Sequence, residues 1–387
     1  MEIREKIIPV LGPKGDDDDC EAVAECIKSG WWVNGPKVEK FENEFKKLVK
    51  AEYAIGLTSN TAGLDIILKA LNIGDGDDVI SPTISFVTTV AVPLWNRCSS
   101  RLADVDANNL IIDPKDVKQM INEKTKAIIV VNHAGVSAHE QIKEIRTFFK
   151  GLIIEDCAHS CYFEGAGLSG DVAIWSFQGV KTMPCGDGGM LTFNKNDIFD
   201  AEEINNKIRK MIWFGVESTY SRDKNSGRFA DDKEVEQLEN KPGYRWSYDI
   251  ELLGYKCYMI DINASLCLSQ LKKLDKNLAR RRFIQEKYNT ELKDYIDTPV
   301  YSETVQYYCA RVPEDKRDDL IKYLAEKKVH TSVHFRPLHL FSYYRTDKKF
   351  EVADKEWRKL ISLPVQLNMT DEDIDYVIYW VKEFFKN

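Results

Sequence analysis

Lys181 lies in a turn between two apolar segments, and its surroundings suit covalent carbonyl chemistry. The stretch from Trp175 to Met190 reads WSFQGVKTMPCGDGGM, so a Gly-rich segment follows the lysine. A lysine amine condenses readily with an aldehyde when desolvation or cationic neighbours lower its pKa from about 10.4 toward neutrality. A lysine after a strand is more often a solvated loop residue. The other polar residues of the chain must decide between these interpretations.

Polar side chains also follow three apolar segments that have the length of buried strands. The segments are Ala127–Val131, Gly151–Glu155 and Val172–Phe177, and helical patterns such as His139–Lys150 separate them. This alternation predicts an α/β fold with a mainly parallel sheet covered by helices. Ligands bind such sheets outside the carboxyl ends of the strands. We therefore expect the polar residues after the three strands to converge on one crevice: Asn132, His133, Asp156, His159, Ser176 and Lys181.

A second region of interest follows the short apolar strand Tyr53–Leu57. There SNTAG, from Ser59, opens an apolar helix, and small and hydroxyl residues at a helix N-terminus leave backbone N–H groups free for phosphate. Simple N-capping is the commoner role of such residues. Phe86 follows the strand Asp78–Pro82, where it either fills the core or lies flat on a planar ring.

These residues together fit a site for pyridoxal phosphate. Lys181 would form the Schiff base, and Asp156 would keep the pyridine nitrogen protonated so that the ring draws electrons. The helix start at 60–62 would bind the phosphate, and Phe86 would stack on the ring. His159 would either contact the ring hydroxyl or pack as an ordinary polar residue.

The composition argues against several other classes of protein. The chain has 387 residues, 43% of them hydrophobic, and a formal net charge of -8, so it can form two domains with a large core. The negative charge argues against a nucleic-acid or anionic-membrane surface, although a local basic pocket remains allowed. No stretch approaches about 18 uninterrupted apolar residues, so we expect a cytoplasmic protein. The nine cysteines are scattered, and Cys157 and Cys161 lack a second ligand pair nearby, so we expect no metal site.

Five segments jointly resemble the DegT/DnrJ/EryC1/StrS sugar aminotransferase family. They read SNTAGL, LNIGDGDDVISPTISFVTT, IIEDCAHSCYFEG, SFQGVKTMPCGDGGM and LGYKCYMIDINASLCLSQL, and the resemblance spans nearly the whole chain. It implies a fold-type-I, aspartate-aminotransferase-like enzyme with a seven-stranded, mainly parallel sheet and a smaller C-terminal α+β domain. It further implies a homodimer with shared active sites that moves an amino group, usually from glutamate, onto a nucleotide-linked keto sugar.

The resemblance also assigns the chemical roles by position. Lys181 resembles the Schiff-base lysine, Asp156 the partner of the pyridine nitrogen and His159 the neighbour of the ring hydroxyl. A few related dehydratases have His where Lys181 stands, so the lysine favours transamination. The matching cofactor contacts are Asn60, Thr61, Ala62, Phe86, Asp156, His159, Ser176, Lys181 and Lys256.

Two motifs depart from the common family pattern. Many members read SGTAAL where this chain has SNTAGL, and many read GYNYRM where it has GYKCYM from Gly254. The Lys form of the second motif occurs among family enzymes that act on 4-keto sugars, so Lys256 is expected to reach the cofactor phosphate of the partner subunit. Tyr258 stands where GYNYRM has Arg, so this part of the expected substrate wall differs from the common family pattern.

The expected substrate contacts are dispersed along the chain. Residues 217–243 form a polar insertion that is either a flap over the site or a surface loop. Within it, Arg228 is a candidate for the substrate diphosphate. Trp32 in an aromatic loop, with His334 and Arg336 in HFRPLH, are further candidates, although solvated loop residues are the commoner case.

The sequence therefore predicts a nucleotide-sugar aminotransferase with a large domain over residues 1–250 and a small domain over 251–387. Glutamate would load the cofactor, 2-oxoglutarate would leave, and the amine would go to a 4-keto, 6-deoxy sugar nucleotide. The alternatives are a 3-keto sugar or cyclitol substrate, a regulatory cofactor-binding protein and a non-catalytic sugar-nucleotide binder. The nucleotide base, the sugar and the stereochemistry depend on the shape of the pocket.

Overall fold

A seven-stranded sheet lies at the centre of the chain in the computed structural model, which describes residues 1–216, 221–222, 229–230 and 250–386. The strand order is β1-β7-β6-β5-β4-β2-β3. Strand β7 runs opposite to the other six strands of this sheet, so its pairs with β1 and β6 are antiparallel and the remaining pairs are parallel. The strands are β1 (Tyr53–Leu57), β2 (Asp78–Pro82), β3 (Ser99–Ala103), β4 (Thr125–Val131), β5 (Leu152–Asp156), β6 (Val172–Ser176) and β7 (Gly189–Phe193).

Helices cover both faces of this sheet, as the continuous apolar strands require. In β4, Ile129 and Val131 pack into the core on one face, while Ile128 and Val130 pack on the opposite face. The helices of this unit are α1 (Asp17–Ser29), α2 (Pro36–Leu48), α3 (Asn60–Ala70), α4 (Thr88–Trp95), α5 (Pro114–Met120), α6 (His139–Phe148), α7 (Ala201–Met211) and α8 (Asp261–Lys272).

The C-terminal unit has a separate core around a two-stranded antiparallel sheet. Ile8, near the start of the chain, joins this core and pairs with Val329. A further short antiparallel pair is formed by β8 (Ser221–Arg222) and β9 (Phe229–Ala230). The elements of the C-terminal unit are α9 (Leu274–Leu292), β10 (Tyr308–Arg311), α10 (Glu314–Glu326), α11 (Glu351–Glu356), β11 (Leu360–Leu363) and α12 (Asp371–Lys386).

The mainly parallel sheet expected from the sequence is confirmed, with one strand that the pattern did not reveal. β3 reads SSRLA, and its polar first half hides it among loop residues. The domain boundary at residue 250 stays a prediction. Helix α8, which follows that boundary in the chain, packs into the core of the large unit through Ala264 and Leu268. Apart from β8 and β9, the polar insertion at 217–243 lies outside the described residues. No helix in the described part of the chain is long and apolar enough to cross a membrane.

The start of β7 approaches the start of α3 so closely that only glycine fits between them. Gly189 pairs with Leu57 on one side and Ser176 on the other. A Cβ atom added to Gly189 would lie 2.3 Å from the carbonyl carbon of Ser59 and 2.5 Å from the backbone nitrogen of Asn60. Both contacts are with backbone, which cannot rotate away. Gly189 therefore sets how near α3 comes to the ends of β1 and β6.

We expect Gly189→Ala to lower the free energy of unfolding by roughly 1–3 kcal/mol, because the added methyl forces backbone to move. Chemical denaturation followed by circular dichroism measures this. Gly12→Ala is the matched control, because no atom lies within 4 Å of a Cβ built there. If the two variants are equally stable, the close approach has no energetic role.

Candidate active site

Asp156 and Asn60 form the floor of a crevice at the carboxyl ends of β5 and β6. Asp156 ends β5, and its Oδ1 accepts hydrogen bonds from Asn60 Nδ2 and the Ala158 backbone N–H, both at 2.9 Å. Among the described residues, no hydrogen bond reaches its Oδ2. Asn60 was expected at the phosphate, yet its side chain is occupied in orienting this carboxylate.

Lys181 lies in the turn after β6; the residue is half-buried, and its amine is close enough to Asp156 for their charges to interact. Burial lowers the pKa of Lys181 to about 8, although the negative charge of Asp156 acts in the opposite direction. Burial likewise raises the pKa of Asp156, while its hydrogen bonds and the positive charge of Lys181 oppose that rise. A buried amine with a pKa near neutrality is the state that carbonyl chemistry requires.

Three buried histidines surround this pair. His159 follows β5, His133 follows β4, and His334 comes from the C-terminal unit. Burial is the main cause of a lowered pKa in each: to about 4 for His133, to about 3 for His334, and well below the usual value for His159. The three imidazoles are therefore neutral at physiological pH.

The C-terminal unit closes one side of the crevice with aromatic rings. Tyr307 stacks on His334, with ring centroids 3.8 Å apart, and meets His159 edge-on at 4.9 Å. Phe335 stacks on His159 at 5.7 Å. The Lys181 Nζ lies 6.0 Å from the centre of the Tyr307 ring. These rings cover part of the lysine, and desolvation is the main cause of its lowered pKa.

The start of α3 has the features of a phosphate site. Ser59 is its N-cap, and its Oγ accepts the Ala62 N–H at 3.1 Å. The helix begins at Asn60, so the N–H groups of Asn60 and Thr61 belong to a first turn that has no intrahelical acceptors. Ser176 ends β6 opposite Gly189, which brings it to the same junction.

Phe86 projects from the loop after β2 at the mouth of the crevice. It is 56% exposed, and its ring centroid lies 6.4 Å from that of Phe335. An exposed aromatic opposite a second ring is available to stack on a planar ligand. The geometry suits the role that was expected of Phe86.

The expected substrate residues that the structure describes differ in their exposure and contacts. Trp32 is half exposed and donates to the Ile27 carbonyl at the end of α1. Arg336 is exposed and donates to the Leu340 carbonyl. Arg228 lies outside the described residues. His334 was expected to meet phosphate as a loop cation, but it is buried and neutral, so it cannot supply positive charge.

Lys256 lies on the outer edge of the sheet, beyond β1. It is exposed and forms a bridge with Trp213, while the next residue, Cys257, accepts the Thr58 N–H at 2.8 Å. Strands β1 and β7 separate this edge from Asp156 and Lys181. The side chain is thus close in the fold to the start of α3, at a surface that another subunit could approach.

Sequence reasoning missed the residues that the C-terminal unit supplies, namely Gln306, Tyr307 and Phe335. No local pattern marks them, because their role depends on where a distant segment packs. His133 was expected at the crevice, although not as a buried side chain; among the described residues, neither of its ring nitrogens has a hydrogen-bond partner. In the described part of the chain, no cluster of three or more His, Cys, Asp or Glu residues is arranged to hold a metal ion.

Comparison with known proteins gives consistent matches over the whole chain. The model of the DegT/DnrJ/EryC1/StrS aminotransferase family matches residues 13–382. The spore coat polysaccharide biosynthesis protein SpsC of Bacillus subtilis (strain 168) is 31% identical, with 99% of this chain and 98% of the relative covered. The uncharacterized protein MJ1066 of Methanocaldococcus jannaschii is 34% identical, with 98% of each chain covered.

Solved structures match equally well. Spr1654 of Streptococcus pneumoniae, which is described as a sugar aminotransferase, has a TM-score of 0.87 at 27% identity in its PMP form, and 98% of this chain and 99% of that chain are covered. Its PLP form has a TM-score of 0.86 at 26% identity with the same coverage. The aminotransferase TlmJ of Streptoalloteichus hindustanus has a TM-score of 0.85 at 25% identity, again with 98% and 99% covered. These similarities confirm the expected α/β fold type I.

The desolvation of the Lys181 amine should make the free energy of unfolding depend on pH. Its folded pKa of about 8 lies below the ordinary value of 10.5, so the unfolded chain binds one more proton between these pH values. The free energy of unfolding therefore increases as pH rises from about 8 to 10.5. Below pH 8 the folded protein holds Lys181 charged and is destabilised by its full desolvation.

Lys181→Met removes that destabilisation, so we expect the cofactor-free variant to be more stable than the native protein by about 1–3 kcal/mol at pH 7. The difference should narrow as pH approaches 10. Urea denaturation at pH 7 and pH 9.5 measures it. Lys195→Met, which changes a lysine whose side chain is 76% exposed, serves as the control. A Lys181→Met protein that is less stable than native at pH 7 would contradict the burial of the charge.

Proposed function

The chain belongs to the DegT/DnrJ/EryC1/StrS aminotransferase family, and we propose that it transfers an amino group from glutamate to a 4-keto sugar linked to a nucleotide. It is an aminotransferase whose cofactor is pyridoxal phosphate. The observation that carries the proposal is the buried Lys181 amine beside the Asp156 carboxylate, at the carboxyl end of the sheet.

The residues of the crevice fit the cofactor. When bound, pyridoxal phosphate supplies an aldehyde that takes up amino groups and a ring that withdraws electrons from the adjacent carbon. Asp156 Oδ2 is available to a protonated ring nitrogen. His159 Nδ1 is buried without a hydrogen-bond partner, as a contact for a ring hydroxyl would be. The N–H groups at the start of α3, with Ser176, would hold the phosphate, and Phe86 would cover the ring.

Lys181 would have two roles. Its amine would hold the cofactor through the aldehyde, because at a pKa of about 8 a useful fraction is unprotonated near neutral pH. The same nitrogen would also accept the proton from the substrate carbon that bears the amino group and return a proton during the transfer. Tyr307 and the neutral histidines keep water away while the proton moves.

Two observations support a nucleotide-linked 4-keto sugar as the acceptor. The relative SpsC is named for polysaccharide biosynthesis, a process that consumes nucleotide-linked sugars. The Lys256 form of the GYKCYM motif is the form that resembles enzymes acting on 4-keto sugars. A 3-keto sugar nucleotide or a cyclitol would use the same cofactor chemistry, so these remain outcomes of the substrate test.

The diphosphate of such a substrate needs local positive charge, because the protein carries a net charge of -8. Of the candidates, Arg336 is exposed, so its charge is available in the described structure. Arg228 remains a candidate from the sequence. His334 is excluded as a cation by its burial, although its neutral ring can still line the pocket.

We further propose that the active enzyme is a symmetric dimer in which Lys256 of one chain reaches the cofactor phosphate of the other. Lys256 is exposed at the sheet edge, next to the segment that leads into α3. A two-fold axis near this edge would bring each Lys256 to the opposite phosphate site.

The substrate class can be tested by a screen of UDP-, GDP- and dTDP-linked 4-keto and 3-keto sugars and a keto cyclitol, with glutamate as the donor. We expect amination of a 4-keto sugar nucleotide at least tenfold faster than of 3-keto sugars, and sodium borohydride should fix the cofactor on Lys181. Mass spectrometry detects both products. Lys181→Ala is the negative control. Faster amination of a cyclitol or a 3-keto sugar would replace the proposed substrate.

Subunit exchange tests the shared site. Lys181→Ala and Lys256→Ala chains should each be nearly inactive as homodimers, yet a mixed dimer has one site with both lysines intact. We expect random exchange to restore about a quarter of native activity, because about half of the dimers are then mixed and each has one working site. Native mass spectrometry confirms the exchange. Activity that stays at the sum of the two variants would place Lys256 in its own site or in none.

A further inference from the structure

A short segment of the C-terminal unit, residues 302–307, crosses the carboxyl ends of three strands. Ser302 Oγ donates to the Ala134 carbonyl at 3.4 Å, in the loop after β4. Thr304 Oγ1 donates to the His159 carbonyl at 3.2 Å, in the loop after β5. Gln306 reaches the loop after β6. One segment therefore contacts all three loops that carry the polar residues of the crevice.

Gln306 bonds to the residues on both sides of Lys181. Its Nε2 donates to the Val180 carbonyl at 2.9 Å, and its Oε1 accepts the Thr182 hydroxyl at 3.1 Å. Its own N–H donates to the Ala134 carbonyl at 3.1 Å, and the residue is fully buried. We propose that Gln306 is a positioning residue that directs the Lys181 amine into the crevice by holding both of its neighbours.

The chemistry of the side chain explains why an amide serves here. The Val180 carbonyl needs a donor and the Thr182 hydroxyl needs an acceptor, and the terminal amide of Gln306 offers both from one planar group. Glutamate at neutral pH would lack the donor, and methionine would lack both. Without Gln306 these buried polar atoms would have to turn toward water, because leaving them unpaired is costly.

The turn around Lys181 is also held by its own backbone hydrogen bonds and by buried neighbours. The Lys181 N–H donates to the Gln178 carbonyl, and Gly179 donates to Gly186, each at 2.8 Å, so the turn closes on a glycine-rich loop. Met183 and Cys185, later in the same turn, are buried in the core beside Phe41 and Met259. Gln306 adds the side-chain hydrogen bonds that hold the two residues next to Lys181. The next residue, Tyr307, places its ring 6.0 Å from the Lys181 amine. The same segment therefore both holds the turn and reduces the exposure of the amine to water.

The consequence is measurable without cofactor or substrate. Burial holds the pKa of Lys181 at about 8. If the turn loosens, water reaches the amine and its pKa rises toward the ordinary value. The importance of Gln306 for catalysis rests on the proposed function of Lys181. Its effect on the direction and exposure of the amine does not, because both are properties of the cofactor-free chain.

The test is competitive acetylation of the cofactor-free protein over a range of pH, with the modified Lys181 peptide quantified by mass spectrometry. For Gln306→Met we expect the labelling midpoint of Lys181 to rise by about one pH unit. At pH 7 the fraction of free amine would then fall about tenfold, and covalent capture of added pyridoxal phosphate should slow by a similar factor.

Gln270→Met is the matched control. Gln270 on α8 is also buried and also donates twice, to the Lys14 carbonyl at 3.1 Å and to Asp19 Oδ2 at 2.8 Å, far along the chain from the turn. It should lose stability without moving the Lys181 midpoint. Should Gln306→Met fail to fold, Thr182→Val removes one bond of the same network, and Thr182→Ser should restore native behaviour.

A Lys181 midpoint that is unchanged in Gln306→Met and in Thr182→Val would overturn the proposal and leave Gln306 a purely structural residue. This result is separable from the proposed function. If the native protein does not bind pyridoxal phosphate at Lys181, the proposed function fails, while the labelling midpoints still decide the role of Gln306.

Discussion

The burial of one amine beside one carboxylate is the constraint on which the structure depends. Lys181 and Asp156 each lose hydration, and the shifts in their pKa values show that their mutual attraction does not fully compensate either one. A pair of this kind persists only when surrounding groups fix it. Asn60 and the Ala158 N–H hold the carboxylate, and the Gln306 network holds the turn that carries the amine.

The C-terminal unit supplies the low-dielectric side of the site. Its rings pack on His159 and shield Lys181, and the histidines between them stay neutral because burial and the nearby cation both disfavour a second positive charge. Neutral imidazoles can donate or accept one hydrogen bond without competing with Lys181 for protons. The large unit thus provides the reacting groups, whereas the small unit sets the environment in which they react.

The sequence predicted the part of the site that lies at strand ends, since apolar strands are visible in the pattern and the geometry of parallel sheets brings their carboxyl ends together. Asp156, His159 and Lys181 were identified in this way, and the structure places them in one crevice. Gln306 and Tyr307 were not predicted. Their position depends on long-range packing between units, which no local periodicity encodes.

The burial of His334 was also not predicted, for a related reason. HFRPLH has the polar composition of a solvated loop, so the sequence favoured a solvated residue and offered a contact with phosphate only as the alternative. In the fold, this segment lies against Tyr307, and Ser362 contacts the histidine Nδ1 at 2.8 Å. A partner from β11 and a stacked ring together make a buried neutral imidazole stable, and both partners come from elsewhere in the chain.

The two departures in SNTAGL have local physical reasons that point to the same site. Asn60, where many relatives have glycine, places an amide on the Asp156 carboxylate and so offsets part of its desolvation. Gly63, where many have alanine, lets α3 lie close to the sheet, since an added Cβ would be 3.2 Å from Leu57 Cδ1 and 3.3 Å from Ile174 Cγ2. Asn60 lies in the first turn of the same helix, where its amide reaches Asp156 at 2.9 Å. Glycine at position 63 therefore allows the close packing of α3 on the sheet, and asparagine at position 60 forms the hydrogen bond at the end of that helix.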